Sequence, residues 1–432
     1  MVLASESPLK QINRFPNHSP KELRSIELFL NKAAPQLSGF FQQPFWNFVL
    51  QVSFDEISIR HALVAVSAVY EEDCMAWESP QAGTAALKKL SLDYYNRAIR
   101  SMVKKMQEKD TVIVPILGCI LFVCFEFLRR DIPAAIKHID GGIKMIEQAR
   151  IRRKETVSSE IANAIKVPDY ENEIVERVMS PLISSLNLTA AVFGRPGVHF
   201  NCRDGDPMVD KPYAGNLRNM EDAIVTLLDF INGTMNFLRS MGQKRYTPGA
   251  IELEDYLVQE RLIKATNEWR EQFDIMDSTS TEITPTQKKA RNMLRAVQKT
   301  AQLWLMASTS PYETAWDMYK ADFEELLSYI EDVVLDAVQF SKAHTKLFSF
   351  ELGIIPPLEL VIRKCRYPSV RRRALALLKA YPKRECLFDS FYAALLDERV
   401  VEMEEACFRL PPGCIPTDDQ LPPEHERIHL VF

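Results

Sequence analysis

VIVPILGCILFVCF, Val112 to Phe125, is the stretch that decides the fold. It is uncharged until Glu126 closes it, and Pro115 and Gly118 lie inside it. A membrane-crossing helix needs about 20 apolar residues in a row. This run is too short and too interrupted, so it reads as a helix at 111–128 buried on all sides by other helices. The composition agrees. Glycine numbers 14 in 432 residues, well below the roughly 7% of average usage. Helix interiors disfavour glycine, whereas turn-rich β folds require it, so an all-α chain is expected.

Helical patterns extend outward in both directions. Ser19-Pro20-Lys21-Glu22 has the form of a capping box with proline at the first helical position, and Ser53-Phe54-Asp55-Glu56 repeats it. Leu87, Leu90, Tyr94, Ala98, Met102 and Met106 mark one face of a long helix, and Ile136, Ile139, Ile143 and Ile146 mark another. Residues 150–172 are polar and weakly periodic and read as a surface loop. Pro181 should kink the helix that follows. The sharpest break is Gly194–Gly215, where glycine and proline cluster. Helices are then expected near 216–241, 251–274, 286–308, 312–342, 357–365, 368–380 and 384–409. The expected organisation is a disordered leader at 1–18, an N-terminal helical half at 19–193, a connection at 194–215 and a C-terminal helical half at 216–432. The whole forms one large antiparallel helical array.

Formal charge of −5 argues against a dedicated polyanion binder. Eight cysteines occur without a C-x-x-C pair or an apolar leader, as in a reduced intracellular protein. Cys119 and Cys124 fall inside the apolar run and read as inert buried thiols. The C-terminal His425-Glu-Arg-Ile-His429 matches the H-E-x-x-H pattern, but that motif needs a helix to bring both imidazoles to one metal. Here it follows Pro422-Pro423, and a short strand suits the ending better. His61 lies on an apolar stripe and reads as a hydrogen-bonded core histidine, while His138 and His344 lack companions at metal spacing. No metal, cofactor or catalytic residue is assigned. Glu126 needs a cation if buried, with Arg129, Arg130 and the triplet Arg371, Arg372 and Arg373 as candidates for a structural ion pair. Arg150, Arg152, Arg153 and Lys154 form a short basic run that reads first as a solvated charge cluster and is the best candidate for a nuclear-import signal. Phosphate-loop, dinucleotide and hydrolase-elbow motifs are absent from the sequence.

Four blocks, 37–71, 117–146, 348–379 and 382–405, together resemble the fungal-specific transcription factor domain. This is the helical regulatory body that stands behind six-cysteine zinc clusters. The resemblance covers most of residues 29–432. It implies a regulatory protein acting through dimerisation, corepressor contact or sensing of small hydrophobic molecules, and it carries over no catalytic residue. The first cysteine is Cys74 and no C-x2-C-x6-C array occurs, so sequence-specific DNA binding is not carried over. The leading expectation is a transcription-regulator-like protein without its own DNA-binding module, in a secondary-metabolite pathway. Its partner would be a full-length zinc-cluster regulator, another nuclear factor or a second copy of itself. Two alternatives stand beside it: a binding protein for a hydrophobic metabolite, and an enzyme recruited from this fold, although the sequence leans away from catalysis. The expected location is the nucleus, with the cytoplasm as the alternative, and no membrane contact.

Overall fold

The computed structural model describes residues 19–39, 43–78, 84–108, 111–160, 170–193, 195, 200–202, 217–279, 283–340, 347–351, 353–381, 383–411 and 413–429. Among them helices dominate and strands are confined to one small sheet, so the chain is an all-α helical array. No helix among the described residues is long and apolar enough to cross a membrane. The leader at 1–18 and His344 lie outside the described residues. Two compact units, residues 1–138 and 139–432, divide the chain.

In the first unit, α1 (Pro20–Leu28) starts at the Ser19 box. The Glu22 N–H donates to the Ser19 hydroxyl at 3.3 Å, and the Ser19 N–H donates to the Glu22 carboxylate at 2.9 Å. A π turn, Phe29–Ala33, leads into α2 (Ala34–Leu37), followed by α3 (Gln43–Asp55) and α4 (Ile57–Glu78). The second capping box does not form. Ser53 is still inside α3, where its hydroxyl donates to the Leu50 carbonyl at 2.6 Å. Arg60 closes the end of α3 instead, donating to the Ser53 and Phe54 carbonyls at 3.0 and 2.6 Å. The S-x-x-E pattern loses because the apolar face of α3 runs straight through it. Both α5 (Ala85–Glu108) and α6 (Ile113–Arg129) pack on α4. Every residue of α6 from Ile113 to Leu128 is buried, as the run demands. Gly118 sets how closely α5 approaches α6: a Cβ there would lie 2.3 Å from Met102 Cε.

The unit boundary falls inside α7 (Ile132–Glu160). This helix runs to Glu160, so the loop expected from residue 150 is helical over its first eleven positions. Tyr170–Ile174 (α8) is helical as well, and 161–169 lie outside the described residues. Periodicity missed this because Arg150, a buried residue of this helix, is charged. Pro181 is met by a wide turn rather than a bare kink. The π turn Val175–Met179 ends with the Ser180 N–H on the Val175 carbonyl, which puts Pro181 in the first turn of α9 (Ser180–Val192). A missing N–H costs little there. Of the Gly194–Gly215 connection only Arg195 and residues 200–202 are described, and Arg195, Phe200 and Cys202 are buried.

Then come α10 (Met220–Lys244), α11 (Leu253–Ser278), α12 (Pro285–Ala307), a 3-10 helix at Glu313–Tyr319, α13 (Lys320–Phe340), α14 (Ile355–Lys364), α15 (Pro368–Ala380) and α16 (Ser390–Glu405). Consecutive helices from α10 to α13 pack on one another, and α14, α15 and α16 pack mutually. A sheet that the helical reading did not include joins them. In it β1 (Leu347–Ser349) pairs parallel with β2 (Lys383–Glu385), which pairs antiparallel with β3 (Phe388–Asp389). Its purpose is visible at Glu385. This buried carboxylate accepts the Gly353, Ile354 and Ile355 N–H groups at 3.1, 3.1 and 3.0 Å, capping α14 from another element. The Tyr381 hydroxyl adds a fourth bond at 2.9 Å.

Gly353 is required by this cap, since a Cβ would sit 2.1 Å from Glu385 Oε1. Gly353→Ala should therefore cost about 2–3 kcal/mol in urea unfolding, because the displaced carboxylate abandons buried donors. Gly118→Ala should cost less, since the obstructing Met102 methyl is the free end of a flexible chain. Equal losses for the two variants would contradict this account.

Candidate partner-binding face and the charge network behind it

Helix α16, SFYAALLDERVVEMEE, offers two faces to choose between. One carries Phe391, Tyr392, Leu395, Leu396 and Met403; the other carries Ala393, Ala394, Asp397, Val400, Val401 and Glu404. Hydrophobic burial alone would turn the first face inward. The structure does the reverse. Ala393, Ala394, Asp397, Val400, Val401 and Glu404 are buried, while the five large apolar side chains are each more than half exposed.

Ion pairs to α14 and α15 hold the helix in this orientation. Glu404 is fully buried and accepts from Arg366 Nη2 at 3.0 Å, from Arg371 and from the Ile428 N–H at 2.8 Å. Arg366 also donates to Glu313 at 2.8 Å, and Lys364 Nζ reaches the other Glu313 oxygen at 2.6 Å. Further along, Asp397 accepts from Arg363 Nε at 2.5 Å, and Arg363 also pairs with Glu359. Arg372 forks onto Glu405 at 2.9 and 2.5 Å. Burial alone would raise the Glu404 pKa, but Arg366 and Arg371 hold it below the usual carboxylate range. Burial pulls Lys364 down to about 8 against the attraction of Glu313, with the Trp304 and Trp316 rings 5.8 and 5.7 Å away. Burial also pushes Glu359 up to about 7 and Asp397 up to about 6, in both cases against Arg363.

The C-terminal segment seals this network. Glu424 accepts the Glu313 and Thr314 N–H groups at 2.9 and 2.8 Å, and Arg427 forks onto Asp317 at 2.7 Å through both terminal nitrogens. His425 stands on a single 3-10 turn, Glu424–Glu426, and His429 follows it 3.0 Å from Glu424. The H-E-x-x-H pattern is thus not on an α-helix, and its middle arginine is a buried latch. The expected terminal strand does not form at Ile428 and His429, and 430–432 lie outside the described residues. Among the described residues no group of three or more His, Cys, Asp or Glu is placed to hold a metal.

The remaining residues singled out in the sequence fall elsewhere. Glu126 is buried, with Arg129 Nη1 at 3.4 Å and the Tyr95 hydroxyl as a further partner, and its pKa is raised by burial. That hydroxyl also lies 2.9 Å from His138 Nε2. Arg130 closes α6 in a left-handed conformation, φ 63°. Of the triplet, Arg371 is fully buried on Glu404, Arg372 binds Glu405 and Arg373 binds Glu331 at 2.5 Å. The basic run at 150–154 is helical rather than a loop. Arg150 leaves the exposed set altogether: it forks onto Glu176 at 2.8 and 2.7 Å and donates to the Asn201 and Cys202 carbonyls. Arg152, Arg153 and Lys154 stay exposed on that helix. The His61 ring packs edge-on against Tyr94, with a Glu22 carboxylate oxygen 4.0 Å from Nε2. Burial pushes the Cys119 thiol up to about 12.

Residues 25–167 match the family described as fungal specific transcription factor domain. Over 499 aligned residues the chain is 19% identical to the aspercryptin biosynthesis cluster-specific transcription regulator atnN of Emericella nidulans, spanning 93% of this chain and 76% of that relative. No solved structure matches the chain. The family match contains the first two of the four sequence blocks, 37–71 and 117–146.

Two outcomes follow from the network. Glu404→Ala leaves Arg366 and Arg371 buried and uncompensated, and should cost about 3–5 kcal/mol in chemical denaturation. Glu359 and Asp397 titrate higher folded than unfolded, so the folded state holds protons that the unfolded state releases. Their contribution is present at low pH and is lost as pH rises through about 6–7. Urea unfolding between pH 5 and 8 should show stability falling with pH, and Glu359→Gln should flatten the slope.

Proposed function

Starting from the transcription factor domain match over residues 25–167, we propose that this chain is a transcription regulator that works through a protein partner. The observation that carries the proposal is the outward face of α16. Five large exposed apolar side chains on one helix, with the Arg399–Glu402 ion pair among them, are more than isolated exposed leucines, and an exposed apolar patch marks an interaction site. The partner we infer is a DNA-binding nuclear factor, such as a full-length zinc-cluster regulator, that lays an amphipathic helix against this face. The formal charge of −5 on these 432 residues supports contact with DNA through that partner. The relative regulates a biosynthesis gene cluster, which supports a secondary-metabolite pathway as the target and the nucleus as the location.

The test separates fold from recognition. Leu395→Glu with Leu396→Glu changes exposed positions only, so the thermal midpoint should stay within a degree or two of wild type. In a strain carrying this variant, pathway transcripts should change as they do on deletion. Unchanged transcripts in both strains, with one intermediate accumulating on deletion, would instead identify an enzyme.

A further inference from the structure

Arg239 of α10 is a half-buried charged side chain with an unsatisfied donor. Its Nη2 is buried and has no hydrogen-bond partner, and it pairs with no carboxylate among the described residues. The charge acting on it is a like one, from Arg195, and that guanidinium is already committed to the carboxylate of Asp140 and the amide oxygen of Asn187. Among the described residues, two arginines stand here against the single carboxylate of Asp140. The adjoining seam between α9 and α10 is polar too, with Asn232 Nδ2 donating to the Ser184 hydroxyl at 2.6 Å.

A guanidinium does not escape burial by losing its proton. A buried N–H of a cation left unpaired is costly, and such groups in folded proteins have a reason. A planar fork of donors, partly stripped of water and next to a second arginine, suits an oxyanion that can accept two parallel bonds. We propose that Arg239, with Arg195 beside it, binds the carboxylate or phosphate group of a small molecule. The site is independent of the α16 face, and it gives the regulator an input that responds to an acidic metabolite.

Thermal unfolding of the full chain in phosphate, in succinate and in chloride at matched ionic strength tests this. One of the two probes should raise the midpoint by about 2–4 °C over chloride in a saturable way, and which probe does so distinguishes phosphate from carboxylate. Arg239→Gln should abolish the rise while melting no lower than wild type in chloride, because it removes an unpaired buried charge. Arg261→Gln, at an exposed pair with Glu254, should keep the rise. Equal midpoints in all three salts, or a rise that survives Arg239→Gln, would overturn the assignment.

Discussion

Glu404, clamped between Arg366 and Arg371 with no access to water, is the interaction on which the second unit turns. Charges of this kind are expensive to bury, and well-packed apolar residues in their place often give equal or greater stability. What the clamp adds is direction. A helix with Phe, Tyr, Leu and Met on one side would roll that side inward if burial alone decided. Rolling α16 would pull Glu404 away from both arginines, Asp397 from Arg363 and Glu405 from Arg372. Breaking one such buried pair costs about 3–5 kcal/mol, more than the roughly 1.5–3 kcal/mol gained by burying any one large apolar side chain. The rotation of the helix is thereby set by electrostatics rather than by the hydrophobic effect.

The same logic recurs at smaller scale. Glu385 caps α14 from a neighbouring strand, and Arg150 gathers Glu176 with two loop carbonyls. Arg427 forks onto Asp317 beside a backbone carbonyl. In each case one buried ionic side chain satisfies several polar groups that belong to different segments. A helical array with short connections leaves many helix ends inside, and those ends expose N–H and C=O groups that need partners. Long charged side chains reach them where no backbone can.

This explains what the sequence disclosed and what it hid. The apolar helix at 113–129, the Ser19 box and the helices from α10 to α15 follow from periodicity and caps, which are local signals. The α16 face was hidden because its pattern reads correctly as a helix and wrongly as to which side is inward. Asp397 and Glu404 lie seven residues apart on a line with Ala393, Val400 and Val401, and that spacing was the available clue. Their partners Arg363 and Arg371 come from two other helices and Arg366 from the turn between those helices, so no local window contains the pairing. The segment at 150–160 was hidden for the same reason: its inward residue is an arginine whose acid is 26 positions away. The triplet at 371–373 was noticed as charge, but sequence alone does not separate the fully buried member from the two that lie nearer solvent.

An inside-out helix also bears on how such a protein can diverge. Its outward residues contribute little to keeping the chain folded, because the grip is on the opposite side. Substitutions at Phe391, Tyr392, Leu395, Leu396 and Met403 are therefore nearly free of structural penalty, whereas those at Asp397 and Glu404 are not. A lineage of such chains can exchange one binding companion for another by drifting along five positions while its scaffold stays fixed.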